Sequence, residues 1–179
     1  TRFAQTFILH AGRRHRNAAV LAMVRSRCRV RVFNLDHLVP TDTRMVVTEA
    51  DPAHRTVRKI NAEPAAREYA RLLGKDPGQL DSFTFAAHPV VVRVGGEYHV
   101  RSIQKVEEGG ALRFYCGIDE GLVLTLAQGG DMAAYLRQHL EQLSRQIGTV
   151  DLILGFDCIL RRLEAEQRQQ VRDVSDVLK

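Results

Sequence analysis

Hydrophobic and polar positions follow a pattern that changes period several times along the chain. Residues 3–10 (FAQTFILH) read as a short strand, and residues 16–27 (RNAAVLAMVRSR) as an amphipathic helix with Ala19 and Met23 inward. CRVRVFNL, residues 28–35, alternates as a strand does, and RMVVTEA (44–50) and RTVRKIN (55–61) supply two more. Pro64 opens a helix that Gly74 closes. DPGQLDS, residues 76–82, is a loop. Beyond it, HPVVVRV and EYHVRSIQKV flank Gly95-Gly96, a two-residue hairpin signal that tolerates positive φ. The implied register sets Val94 opposite Glu97, Val92 opposite His99 and Val90 opposite Arg101. His88, Val90, Val92, His99, Arg101 and Ile103 then share one face.

Gly109-Gly110 and Gly121 mark the next turns, before ALRFYCGI is followed by VLTLA. Asp131 is placed to cap a helix over 132–147, with Met132, Leu136, Leu140 and either Leu143 or Ile147 on one face and Gly148 at its end. VDLILGF (150–156) is nearly all apolar, the pattern of a strand covered on both sides. Residues 158–178 read as one helix whose middle, Glu164 to Gln170, is polar apart from Ala165, so it packs only in part. The elements sum to an α/β (mixed α+β) chain: a β-meander with flanking helices in the second half, and a mixed sheet.

Composition narrows the class. Hydrophobic residues make up 45% of 179 positions, enough for a real core. No apolar run approaches the ~20 residues that span a bilayer, and no secretory signal pattern opens the chain. Cys28, Cys116 and Cys158 lie far apart with no Cys-x-x-Cys pair, which points away from a disulfide framework and toward a reducing, cytoplasmic setting. Net charge is +5, and residues 1–35 carry eight arginines and no acid. That segment fits either a solvated arginine-rich face or a polyanion patch. Its few aromatics count against a single-strand stacking platform, so nucleic acid is not the expected partner.

Phosphate-binding glycine loops, nucleophile elbows and paired zinc histidines are absent, so a binding domain is expected and not an enzyme. His88 and His99 would stand roughly 13 Å apart at ~3.3 Å per residue, too far to share one metal ion. The stretch DLILGFDCILRR (151–162) carries the most chemistry. Asp157 is placed to cap a helix beginning at Cys158, where the helix dipole favours negative charge. Arg161 and Arg162 sit one turn in, where the dipole disfavours cations, and are easiest to explain if they meet an anion. Solvation of both arginines, with Cys158 as a small buried hydrophobe, is the plain alternative. A nucleophilic Cys158 is the enzymatic one.

Three blocks, RMVVTEADPAHRTVRKINAEPAAREYARLLG, HPVVVRVGGEYHVRSI and FDCILRRLE, resemble FIST sensory domains of bacterial signalling proteins, over roughly residues 37–178. The likeness is nearest to the branch of nitric-oxide-sensing haemoproteins. It implies that residues 1–74 end the FIST N-terminal part and that 75–179 form most of the C-terminal part. It also implies family segments before Thr1 and after Lys179. The expected function is a sensory small-ligand domain that reports to a histidine kinase, either through haem b and nitric oxide or, without haem, through amino acids or other small carboxylates. Arg101, Cys158 and Arg161 fall in family-like blocks and are the expected ligand-binding residues. His37 and His88 are the candidates for haem iron. No membrane partner is implied, and a homo-oligomer is compatible with the resemblance.

Overall fold

The computed structural model describes residues 7–178 and divides into two units, residues 1–33 and 34–179. In the first unit, β1 (Ile8–His10) and β2 (Arg13–His15) form a hairpin around Ala11 and Gly12, both at positive φ. The part of the expected first strand before residue 7 lies outside the described residues. Residues 16–33 contain neither the helix expected over 16–27 nor the strand expected from residue 28. Leu21 and Met23 are fully exposed. A helix of twelve residues is marginal in water unless a packed face supports it, and among the described residues of this unit none buries such a face.

The second unit is a mixed α+β fold. Its strands are β3 (Leu38–Asp51), β4 (Thr56–Ile60), β5 (Glu63–Pro64), β6 (Val90–Val94), β7 (Glu97–Arg101), β8 (Ile103–Val106), β9 (Leu112–Phe114) and β10 (Val123–Gly129). The sheet order is β7-β6-β10-β3-β4-β9-β8, with β5 added on β4. The sheet expected to be mixed is antiparallel at every pairing among the described residues. β7 and β8 stand at opposite ends of this order, yet only Ser102 separates them. Two Cα–Cα steps of ~3.8 Å cannot cross a flat sheet, so the sheet coils back toward closure, as barrels do. Met45, Val47, Val57, Val90, Leu112 and Leu124 fill its inside.

The hairpin follows the predicted register: Val94 pairs with Glu97, Val92 with His99 and Val90 with Arg101. Gly95 and Gly96 both hold positive φ, which a two-residue turn between right-twisted strands requires. α1 (Ala65–Leu72) begins after Pro64 and seats Tyr69 in the core, and Gly74 follows at positive φ. The stretch expected as a loop over 76–82 holds a 3₁₀ turn, and α2 (Ser82–Ala87) follows, capped by Asp81. α3 (Met132–Ile147) matches its prediction to the residue: Asp131 accepts from Ala134 N–H, and Gly148 closes the helix at positive φ. Burial of Met132, Leu136 and Leu143 anchors it, at about 1.5–3 kcal/mol per side chain.

Two expectations fail near the end of the chain. Residues 150–156 pair with no described strand, and Leu152, Leu154 and Phe156 are exposed. A strand needs a partner ladder, and apolar content alone does not supply one. The single helix expected over 158–178 is two, α4 (Ile159–Gln167) and α5 (Val171–Val177), broken where Gln169 adopts φ 58°. No described helix is long and apolar enough to cross a membrane.

Candidate functional site

The first residues of β3 pair with the last of β10, Leu38 opposite Gly129. This register places His37 beside Gly130, whose N–H donates to the His37 carbonyl at 2.9 Å. α4 packs over the same corner and against α2. It brings Glu164 down onto Gly129, where a Cβ would lie 1.9 Å from Glu164 Oε1. Only glycine permits that approach. Glu164 Oε2 stands 3.0 Å from His37 Nε2, and both side chains are 4% exposed. Arg168 adds a second contact: its Nε lies 3.3 Å from Glu164 Oε1, poorly aligned for a hydrogen bond, and its Nη1 donates to the Gly130 carbonyl.

Beside this buried pair lies a cavity of about 310 Å³. Its walls are the segment 34–38, α2 with Pro89, the strand β7, and the first turns of α4. Arg161 lines it with 18% of its side chain exposed. Its Nη1 donates to the Leu35 carbonyl at 3.4 Å. Its Nε is 3.1 Å from Asp157 Oδ1, an ion pair without hydrogen-bond alignment. No described residue bonds Arg161 Nη2, so part of the guanidinium is left for a ligand. The acids on the wall have other partners. Glu164 meets His37 and Arg168, and one oxygen of Asp36 accepts from Leu38 N–H.

The structure therefore brings three of the five predicted residues, His37, Cys158 and Arg161, to one cavity. Arg101 is not on its wall, although Val100 and Ser102 are. The Arg101 Nη1 donates back to the Val100 carbonyl, and its Nε is buried without a hydrogen-bond partner. His88 is not on the wall either. Its N–H closes α2 onto Thr84, and its carbonyl accepts from the Tyr69 hydroxyl. Burial, followed by the charges of Lys75 and Arg168, pushes its imidazole below the usual 6.5. Cys158 is the N-cap residue of α4, which begins one position later than expected, and Asp157 accepts from the Cys158 N–H without capping the helix. Glu164 and His99, outside the five predicted residues, also line the cavity. For Glu164 no local signal exists, because its partner is 127 positions away.

The cavity does not fit a haem. Its volume is at the small end of the ~300–1,000 Å³ range of small-molecule sites, a space for a ligand between an amino acid and a short peptide in size and not for a tetrapyrrole with two propionates. His37 has its Nε2 held by Glu164 deep in the wall, and His88 lies off the wall. Among the described residues no three potential ligands group to hold a bare metal ion.

A family model described as FIST C domain matches residues 65–179, and one described as FIST N domain matches residues 1–63. The chain belongs to the FIST family. FIST domains are small-ligand sensory domains of signal transduction. The FIST cavity draws on both matched regions, with His37 from the N part and Tyr98 and Arg161 from the C part. Comparison with curated proteins and with solved structures gave no match.

Proposed function

We propose that this FIST chain senses a small carboxylate, such as an amino acid or another small molecule with a free carboxylate end, and that it has no catalytic role. The observation that carries this reading is the partly unpaired Arg161 guanidinium on the wall of a cavity of this size. A guanidinium fork matches a carboxylate in shape and charge. Asp36 on the same wall offers a carboxylate to a ligand ammonium. Ligand binding would favour one arrangement of α4, which carries Arg161 and Glu164, and a signalling partner such as a histidine kinase would read that arrangement.

A thermal-shift panel of amino acids and simple carboxylates at millimolar concentration tests the reading. A binder present at about 100 times its Kd stabilises the fold by about 2.7 kcal/mol. No shift with any member sinks it.

Haem-based nitric-oxide sensing is the other branch of the family resemblance. It requires a larger cavity and an imidazole released from Glu164. Haemin titration followed by visible spectroscopy decides between the two: a stoichiometric Soret band that responds to nitric oxide would favour haem.

A further inference from the structure

β7 contributes Tyr98, His99 and Val100 to one wall of the cavity. On β6, the Pro89 carbonyl accepts from Ala127 N–H, so the backbone groups of residues 89 and 91 face β10. Those of Val90, Val92 and Val94 therefore face β7, where their partners are Arg101, His99 and Glu97. Backbone groups alternate in direction along an antiparallel strand. The N–H and C=O of Tyr98 and Val100 thus point away from β6, on the side where the next such residue, Ser102, accepts from Tyr115 N–H.

β7 ends the strand order, and no described residue accepts from the N–H of Tyr98 or Val100. The Val100 carbonyl takes only a long 3.3 Å contact from the Arg101 side chain. Tyr98, Val100 and Arg161 all line the cavity. An open strand edge and a partly unpaired cation thus border one space. The edge presents two donor–acceptor pairs about 7 Å apart. A free amino acid cannot span that distance; a short extended peptide can.

We propose that the cavity takes a short peptide as an added strand on β7, with its terminal carboxylate at Arg161. Strand addition takes its affinity from main-chain hydrogen bonds, and the cation selects the end of the peptide that bears negative charge. The proposal rests on the carboxylate reading of Arg161 and narrows the ligand class within it.

The test uses the full chain and a pool of N-acetylated tripeptides with free C-terminal carboxylates. Each tripeptide that binds is compared with its own N-acetylated C-terminal amino acid and with the same tripeptide N-methylated at the amides. Binding about tenfold or more tighter for the tripeptide is expected, with the gain abolished by N-methylation. Val100→Pro should also abolish the gain, because it removes only an outward N–H, which an edge strand tolerates. Tripeptides that bind no tighter than the acetylated amino acid, or that ignore N-methylation, overturn the proposal while leaving the carboxylate reading intact. If neither class binds, both fall. The methylated peptides decide the matter even where Val100→Pro does not fold.

Discussion

His37 and Glu164 lie 127 positions apart, yet His37 Nε2 and Glu164 Oε2 meet at 3.0 Å with both side chains 4% exposed. This contact ties the start of β3 to α4 and so sets where Arg161, one turn earlier on α4, stands in the cavity. His37→Ala would strand a buried carboxylate with only the misaligned Arg168 beside it. A loss of about 3 kcal/mol is expected. Glu164→Ala should cost a similar amount, and the double variant much less than the sum, because the two residues act as one unit. Urea unfolding of the cycle measures this; additive losses would show that the pair is not coupled.

Gly129 is held to glycine by contact, not by backbone conformation. An alanine Cβ would stand 1.9 Å from Glu164 Oε1 and 3.0 Å from Arg168 Nη2. Gly129→Ala should therefore destabilise by about 1–3 kcal/mol through overpacking and should weaken ligand binding as α4 shifts. Gly117→Ala, where a Cβ meets nothing within 4 Å, is the control and should be near neutral. Equal melting temperatures for the two variants would contradict the packing argument.

Acid stability should depend on Glu68, a buried residue of α1. Hydrogen bonds from Arg71, and then from Asn61, outweigh its burial and lower its carboxyl from 4.5 to about 2. A depressed folded value means that the stabilisation is present above the unfolded value, near 4.5, and is lost as pH falls from there toward 2. With Arg71 two-thirds exposed, solvent screening leaves about 1–2 kcal/mol. Glu68→Gln should flatten the stability profile between pH 5 and 2, values near the shift itself. Unfolding midpoints measured across that range check it; an unchanged slope would remove Glu68 from the account.

Cys158 lines the cavity, whereas Cys28, also exposed, belongs to the other unit. A saturating carboxylate ligand should slow iodoacetamide labelling of Cys158 several-fold and leave Cys28 unchanged. Mass spectrometry of the two cysteine peptides reads both rates in one sample. Equal protection of both thiols, or of neither, would place the ligand elsewhere.

Local signals made much of the second unit legible. The Asp131 cap, the apolar face of Met132, Leu136 and Leu143, and the Gly148 stop act within one helix, so the sequence alone delimits α3. Gly95-Gly96 likewise carries the whole β6–β7 register. The failures share a cause. CRVRVFNL and VDLILGF have strand patterns but no ladder partner among the described residues, and pattern does not reveal pairing. Cys158 and Arg161 could be proposed from their place at a helix start. The burial of Glu164 could not, because it is imposed by His37 and by the absent side chain of Gly129.

The most direct test of the central claim is calorimetric titration of the best carboxylate from the panel into the wild-type chain and into Arg161→Ala. The account predicts saturable binding by the wild type and at least a tenfold loss in the variant, about 1.4 kcal/mol or more, with a variant that still unfolds cooperatively above the titration temperature. Equal affinity in a folded variant would contradict it, because the guanidinium would then not be the group that reads the ligand.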